Sequence, residues 1–187
     1  LQASVSGLIV NADESMEGKL LSKEEFLVID DEIDRKELKL LDEKKSNLQR
    51  SLELNKKMAV NLEMIIEKKN ENYERIKDLP IKSNIEKDKE FFDLANTQNQ
   101  LLSTLEKIET IASQLSDTQL RLEQLRYSLK KKHLEAEGMV LYKLHTKKGQ
   151  VVAPGMDLAE VADITKAKLT IFLNSDELDG VREKKIY

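Results

Sequence analysis

His133 and His145 are the chain's only histidines, and they are its natural candidates for general bases or metal ligands near neutral pH. They stand twelve residues apart, one at the end of a lysine-rich helical stretch and the other in a β-like segment, and no further ligand at metal-binding spacing accompanies either. There is no cysteine, which excludes a thiolate nucleophile, a disulfide framework and a thiolate metal site. Gly149 and Gly155 bracket a short loop, but it lacks the Lys-Ser/Thr ending with which a P-loop holds phosphate. Carboxylates are plentiful, yet they are scattered along charged helical stretches where solvation explains them. These residue types point away from an enzyme, a cofactor or a metal centre. The chemistry they leave is that of contact between surfaces.

Charge narrows which surfaces. The chain carries 31 Lys and Arg against 35 Asp and Glu, a net charge of −4 with the signs interleaved. Stretches such as "EKKNENYERIKD" and "LRLEQLRYSLKKK" hold no continuous basic stripe. An RNA-binding helical arm built on them would bind weakly and be lost in modest salt. Charged residues make up 35% of the chain and aromatics only 4%, with no tryptophan. That balance belongs to long helices or coiled coils, whose exposed surface is large for the volume they bury.

The elements that would position a contact surface follow from periodicity. From about Asp31 to Asp78 there is neither proline nor glycine. Steps of three and four from Leu38 meet Leu41, Lys45, Leu48, Leu52, Asn55, Ala59, Leu62, Ile66, Lys69, Tyr73 and Ile76, a heptad stripe that is mostly apolar. The second half repeats the pattern at Phe91, Leu94, Gln98, Leu101, Leu105, Ile108, Ala112, Leu115, Gln119, Leu122, Arg126 and Leu129. Neither stripe is stable in water, and each is a ready partner for the other. Pro80 ends the first helix near Asp78. Ser83-Asn84-Ile85-Glu86 is a capping box that starts the second. So short a turn makes an antiparallel hairpin, each arm on the order of 70 Å long. Its tip carries Leu79, Pro80 and Ile81 beside Arg75, Lys77 and Lys82. That tip is either a contact surface or a staple for the turn.

The ends of the chain share a second pattern. "SVSGLIVNADESMEGKL" (Ser4 to Leu20) and "EAEGMVLYKLHTKKGQV" (Glu135 to Val151) each hold a β-like run between two glycines. Gly7 and Gly18 recur, 131 residues on, as Gly138 and Gly149. Leu8–Val10, Phe26–Ile29, Met139–Leu141 and Gln150–Val152 have the composition of short strands. Neither half has enough apolar residues to fold alone. A hairpin that returns the chain to its starting point makes them halves of one pseudo-symmetric β domain. No apolar run approaches the ~18 residues that span a bilayer. The chain opens at Leu1 and enters a strand almost at once, as expected of a fragment whose anchor or targeting segment lies elsewhere.

This order of segments resembles the HlyD-type membrane fusion proteins, the periplasmic adaptors of bacterial efflux pumps and type I secretion systems. The resemblance is carried by "SGLIVNADESMEGKLLSKEEFLVIDD" (Ser6 to Asp31), "EGMVLYKLHTKKGQVVAPGMDLAEVAD" (Glu137 to Asp163) and "KLTIFLNSDELDGVREKKIY" (Lys168 to Tyr187). It implies an α+β fold: a long antiparallel α-helical coiled-coil hairpin inserted into a split lipoyl-like β domain, followed by the start of a β-barrel domain. The halves of the lipoyl-like domain would be 1–30 and 134–164, the hairpin 31–133 with its tip at about 79–83, and the incomplete barrel 165–187. In lipoyl carriers a modifiable lysine sits where the two half-motifs join. Here the hairpin occupies that junction, and Lys147 and Lys148 are surface residues before Gly149.

Family members are tethered to the inner membrane and assemble, commonly as hexamers, to join an inner-membrane transporter to a TolC-type outer-membrane channel. The transporter is of the ABC, major-facilitator or resistance-nodulation type. Many of their tips carry Arg, Leu four residues on, and Ser seven further. Arg75 and Leu79 match, Glu86 stands at the serine position, and Ser83 lies three residues early. The resemblance thus nominates Arg75, Leu79, Pro80, Ile81 and Ser83 for channel docking, on a seam that includes Leu48, Leu52, Leu62, Ile66, Leu101, Leu105, Ile108 and Leu115. It implies a periplasmic protein, tethered by a segment outside this chain, with no cofactor. A plain coiled-coil spacer and the RNA-binding arm are the alternatives.

Overall fold

The computed structural model describes residues 1–165. The barrel start expected at 165–187 lies, apart from Thr165, outside the described residues. The chain divides into two units: Leu1–Asp30 with His133–Tyr187, and Asp31–Lys132 between them in sequence.

The inserted unit is two helices, α1 (Glu32–Ile76, 45 residues) and α2 (Asn84–Lys132, 49 residues), packed along their lengths. In α1 the heptad stripe from Leu38 to Ile76 is the shielded face throughout, and Ala59 and Leu62 are its most buried members. The α2 seam departs from the periodicity expectation. Leu94, Leu101, Ile108, Leu115, Leu122 and Leu129 face α1, but the alternate positions are one residue earlier than an apolar count selects. Thr97, Thr104, Ile111, Thr118 and Leu125 occupy them, while Phe91, Gln98, Leu105, Ala112, Gln119 and Arg126 face outward. Leu105 is 40% exposed and its neighbour Thr104 only 4%.

Threonine can hold a seam position because its hydroxyl has a partner in its own helix. The Thr97, Thr104 and Thr118 hydroxyls donate to the carbonyls of Asp93, Gln100 and Gln114 at 2.9, 2.8 and 2.7 Å. Each then presents its methyl group to α1, so no polar atom is left unsatisfied. Lys69, a cation within the seam, bonds Thr97 Oγ1 at 2.9 Å and the Asp93 carboxylate at 2.7 Å. A polar seam residue with a charged partner on the facing helix favours one register of an otherwise repetitive seam. At the other end Lys132 meets Asp34 at 2.7 Å.

The second unit is built from both ends of the chain. Its strands are β1 (Gly7–Ala12), β2 (Leu27–Ile29), β3 (His133–Leu134), β4 (Val140–Leu144), β5 (Val151–Val152) and β6 (Ala159–Ala162). One sheet runs β3-β2-β1-β5 and the other pairs β4 with β6. His133, expected as the last hairpin residue, instead begins β3 and pairs with Val28. Ile9, Phe26, Leu27 and Ile29 from the first segment and Leu141, Val152 and Leu158 from the second close a single core. Neither segment has that core without the other.

The repeat is a structural one, with an offset that the glycines misstate. Ile9, Asn11 and Ala12 pair with Ile29, Val28 and Leu27, around a bulge at Val10. Leu141, Lys143 and Leu144 pair with Val161, Glu160 and Ala159, around a bulge at Tyr142. Every equivalent pair here is 132 residues apart, as Ile9 and Leu141 are, rather than 131. The turn after β1 is one residue longer than the turn after β4, so the Gly18–Gly149 equivalence keeps the 131 offset. Gly7 therefore corresponds to Met139 and not to Gly138. It has its own reason to be glycine: a Cβ there would lie 2.5 Å from Ile29 Cγ2.

The two copies also lock each other. Ile9 N–H donates to Gln150 O at 2.8 Å, and Gly149 N–H donates to Ile9 O at 2.8 Å. In the mirror exchange Leu141 N–H donates to Lys19 O at 3.2 Å, and Gly18 N–H donates to Leu141 O at 2.8 Å. Gly18 (φ 75°) and Gly149 (φ 87°) sit in the left-handed region that lets each turn deliver its amide.

Two outcomes are expected in thermal melts followed by circular dichroism. Thr104→Asp places an unpaired charge in the seam and lowers the melting temperature sharply, while Leu105→Asp in dilute solution stays within about 0.5 kcal/mol of the parent. Gly7→Ala costs roughly 1–3 kcal/mol, because Ile29 must leave its packed position.

Candidate interaction site at the hairpin tip

The segment Lys77–Ser83 joins α1 to α2, and its form is set by local hydrogen bonds. Leu79 N–H donates to Ile76 O at 3.1 Å, closing a turn just past the helix end. Ser83 Oγ accepts from Glu86 N–H at 3.3 Å, and the Glu86 carboxylate accepts from Ser83 N–H at 3.0 Å. This is the reciprocal capping box that the Ser-x-x-Glu spacing calls for. The Ser83 hydroxyl also donates to Glu86 at 3.1 Å, so its hydrogen-bonding capacity is spent inside the turn.

Arg75, Leu79, Pro80, Ile81 and Ser83 thus share one end of the hairpin, with different exposures. Ile81 is 92% and Leu79 43% exposed. Ile85, outside the sequence-nominated set, is 81% exposed and lies one heptad before Phe92, which is 63% exposed. The signal for these two was available, since both are apolar residues off the seam, but it becomes legible only once the seam is correctly registered through Glu90 and Thr97. Phe91 is also exposed and meets the Tyr73 ring at a tilt, with a centroid distance of 5.8 Å.

Three cations beside the tip each have a carboxylate nearby. Arg75 lies 3.9 Å from Glu71, Lys77 2.5 Å from Glu74 and Lys82 3.1 Å from Glu86. Glu74 raises the Lys77 ammonium above its usual range. The Ser83 backbone N–H, followed by Lys82 and the Ser83 hydroxyl, holds the Glu86 carboxyl below the usual carboxylate range. A cleft of about 350 Å³ opens between the arms, lined by Arg75, Ile76, Lys82, Glu86 and Glu90 among others. Paired exposed charges contribute little binding energy. The arrangement can therefore offer a partner a small apolar cap, Leu79-Pro80-Ile81 with Ile85, beside three paired cations.

The two histidines lie in the β unit, each beside a glutamate: His133 Nδ1 is 2.9 Å from Glu25 and His145 Nε2 3.0 Å from Glu160. Among the described residues no group of three or more His, Asp or Glu side chains is placed to hold a metal ion, and no helix is long and apolar enough to cross a membrane.

No protein-family model and no curated protein matches this sequence. Solved structures do. MacA from Actinobacillus actinomycetemcomitans aligns with a TM-score of 0.56 at 17% identity, over 88% of this chain and 49% of that one. The chain spans about half the length of that relative, and at this identity the likeness is one of fold. The periplasmic adaptor protein EmrA aligns with a TM-score of 0.42 at 14% identity, over 85% of this chain and 69% of that one. A putative efflux transporter from Bacteroides eggerthii DSM 20697 aligns with a TM-score of 0.46 at 14% identity, over 88% and 39%.

Ser83→Ala removes the cap and is expected to destabilise the first turn of α2 by about 1 kcal/mol, read as faster amide exchange at Glu86 and Lys87. Because the folded Glu86 carboxyl is depressed, its stabilisation is present above the ordinary glutamate range and is lost as pH falls through the folded value. Exchange at these amides, corrected for intrinsic rates, should rise on acidification in the parent and change less in Glu86→Gln.

Proposed function

We propose that this chain is the central part of a periplasmic adaptor of the membrane fusion type, working in a tripartite efflux or type I secretion assembly. Its job is mechanical and non-catalytic. The hairpin tip meets a TolC-type outer-membrane channel, while other parts of the adaptor engage an inner-membrane transporter. The β unit corresponds in this reading to the lipoyl-like domain, and the adaptor acts as a homo-oligomer.

The observation that carries the proposal is Ile81. A β-branched side chain left 92% exposed in a turn whose geometry the capping box already secures has no structural task there. Burying Ile81 against a partner would contribute on the order of 2–3 kcal/mol, and covering the exposed part of Leu79 about 1 kcal/mol more. The α1–α2 seam consumes the hairpin's main apolar stripe and leaves this end uncovered. The fold shared with MacA supports the same reading. Arg75 acts from the last turn of α1 and Leu79 from the turn beyond it, whereas Ser83 serves the cap first.

A photocrosslinking residue at Ile81, in cells expressing the full-length protein, is expected to capture an outer-membrane channel. Leu79→Asp should reduce export toward that of cells lacking the adaptor while leaving helix content and melting temperature unchanged. Export at the parent level by a folded Leu79→Asp variant would remove the tip from the mechanism.

A further inference from the structure

The apolar surface at the end of the hairpin does not stop at the turn. Ile81 is followed four residues on by Ile85 and eleven on by Phe92, all three exposed. Ile85 and Phe92 are one heptad apart and share a face of α2. With Leu94 and Thr97 turned toward α1, that face lies directly opposite the seam. At the same position in the next three heptads stand Asn99, Glu106 and Ser113, all exposed and polar. Apolar residues return there only at Leu120, about 40 Å beyond Phe92, and at Tyr127.

Phe92 is also held in place. Its ring meets Phe91 edge-on at a centroid distance of 5.8 Å, and Phe91 in turn meets Tyr73 of the α1 stripe. An exposed aromatic ring already fixed by its neighbours loses little conformational freedom when a partner covers it. The α1 side of the same turns is different. Around Tyr73 it carries Glu67, Lys68, Glu71, Glu74, Arg75 and Asp78, with Lys68 and Arg75 both beside Glu71. Covering that side would strip water from charged groups. The end of the hairpin therefore has one side suited to burial and one suited to water.

We infer that the hairpin meets the outer-membrane channel with its α2 side, Ile85 and Phe92 seating in an apolar groove of the channel while the α1 side stays in water. The contact then reaches about 10 Å past Ile85, beyond the turn itself. The place where the strip ends identifies the occupant. A second copy running alongside would meet Asn99, Glu106 and Ser113 over most of the shared length, whereas a partner met end-on covers only the last turns, where the apolar residues are. The inference rests on the reading that the tip meets the channel, and adds which side of the hairpin does so and how far down.

The test places photocrosslinking residues at Phe92, Glu74 and Ser113, one at a time, in cells expressing the full-length protein, beside the probe at Ile81. Phe92 is expected to capture the same channel as Ile81. Glu74, on α1 next to the Tyr73 that meets Phe91, and Ser113, on the strip's face but beyond its end, are expected not to. Phe92→Ala, with helix content unchanged, should weaken the adaptor–channel association by on the order of tenfold or more, and Phe92→Leu by less. Channel capture from Ile81 combined with capture of a second copy, or of nothing, from Phe92 overturns the inference and leaves the tip reading intact. Capture of the channel from neither position overturns both. Channel capture from Glu74 as readily as from Phe92 overturns the assignment to one side.

Discussion

The structure depends on the seam between α1 and α2. Two helices of 45 and 49 residues, each with one shielded stripe, bury those stripes only against each other. Because the pairing is antiparallel, Asp34 and Lys132 finish side by side although nearly a hundred residues separate them in sequence. That closure is what allows a β unit made from two distant segments to exist. The entropic cost of bringing the segments together is borne by the hairpin, and it grows only slowly with the length of chain enclosed. What remains for the β unit is to interlock, which it does through the reciprocal exchange centred on Ile9 and Leu141.

The seam's chemistry explains why the hairpin can be both regular and specific. Apolar heptads alone tolerate register slips of whole turns. Lys69, held by Thr97 and Asp93, favours this alignment over a slip by one heptad, which would put Gln100 in the place of Asp93. The threonines reduce side-chain volume in the seam without adding an unsatisfied polar group, since their hydroxyls bond back to their own helix. A narrow seam leaves most of each helix outside it. Apolar residues that remain there, as at the tip, are thus separable from the stability of the seam.

The polar surroundings of the tip bear on what kind of contact it makes. Arg75, Lys77 and Lys82 are already partnered, and an exposed ion pair offers a newcomer little. Recognition there is a matter of apolar fit on a small rigid turn.

Much of this was legible in the sequence. Proline placement, the Ser83–Glu86 spacing and the 3-4 periodicity determined two helices, their turn and the α1 stripe, because each rests on interactions within a few residues. The β-like runs flanked by glycine announced a duplicated pattern for the same reason. Only the tertiary structure decided the rest. Whether Thr104 or Leu105 enters the seam depends on the facing helix, since counting apolar residues cannot foresee a hydroxyl satisfied by its own backbone. The repeat offset of 132 rather than 131 depends on which residues pair, and a turn one residue longer shifts the glycines without shifting the strands. Gly7 is glycine because of Ile29, a neighbour across the sheet that no local pattern names. Local rules decide what forms; facing surfaces decide which side chains meet.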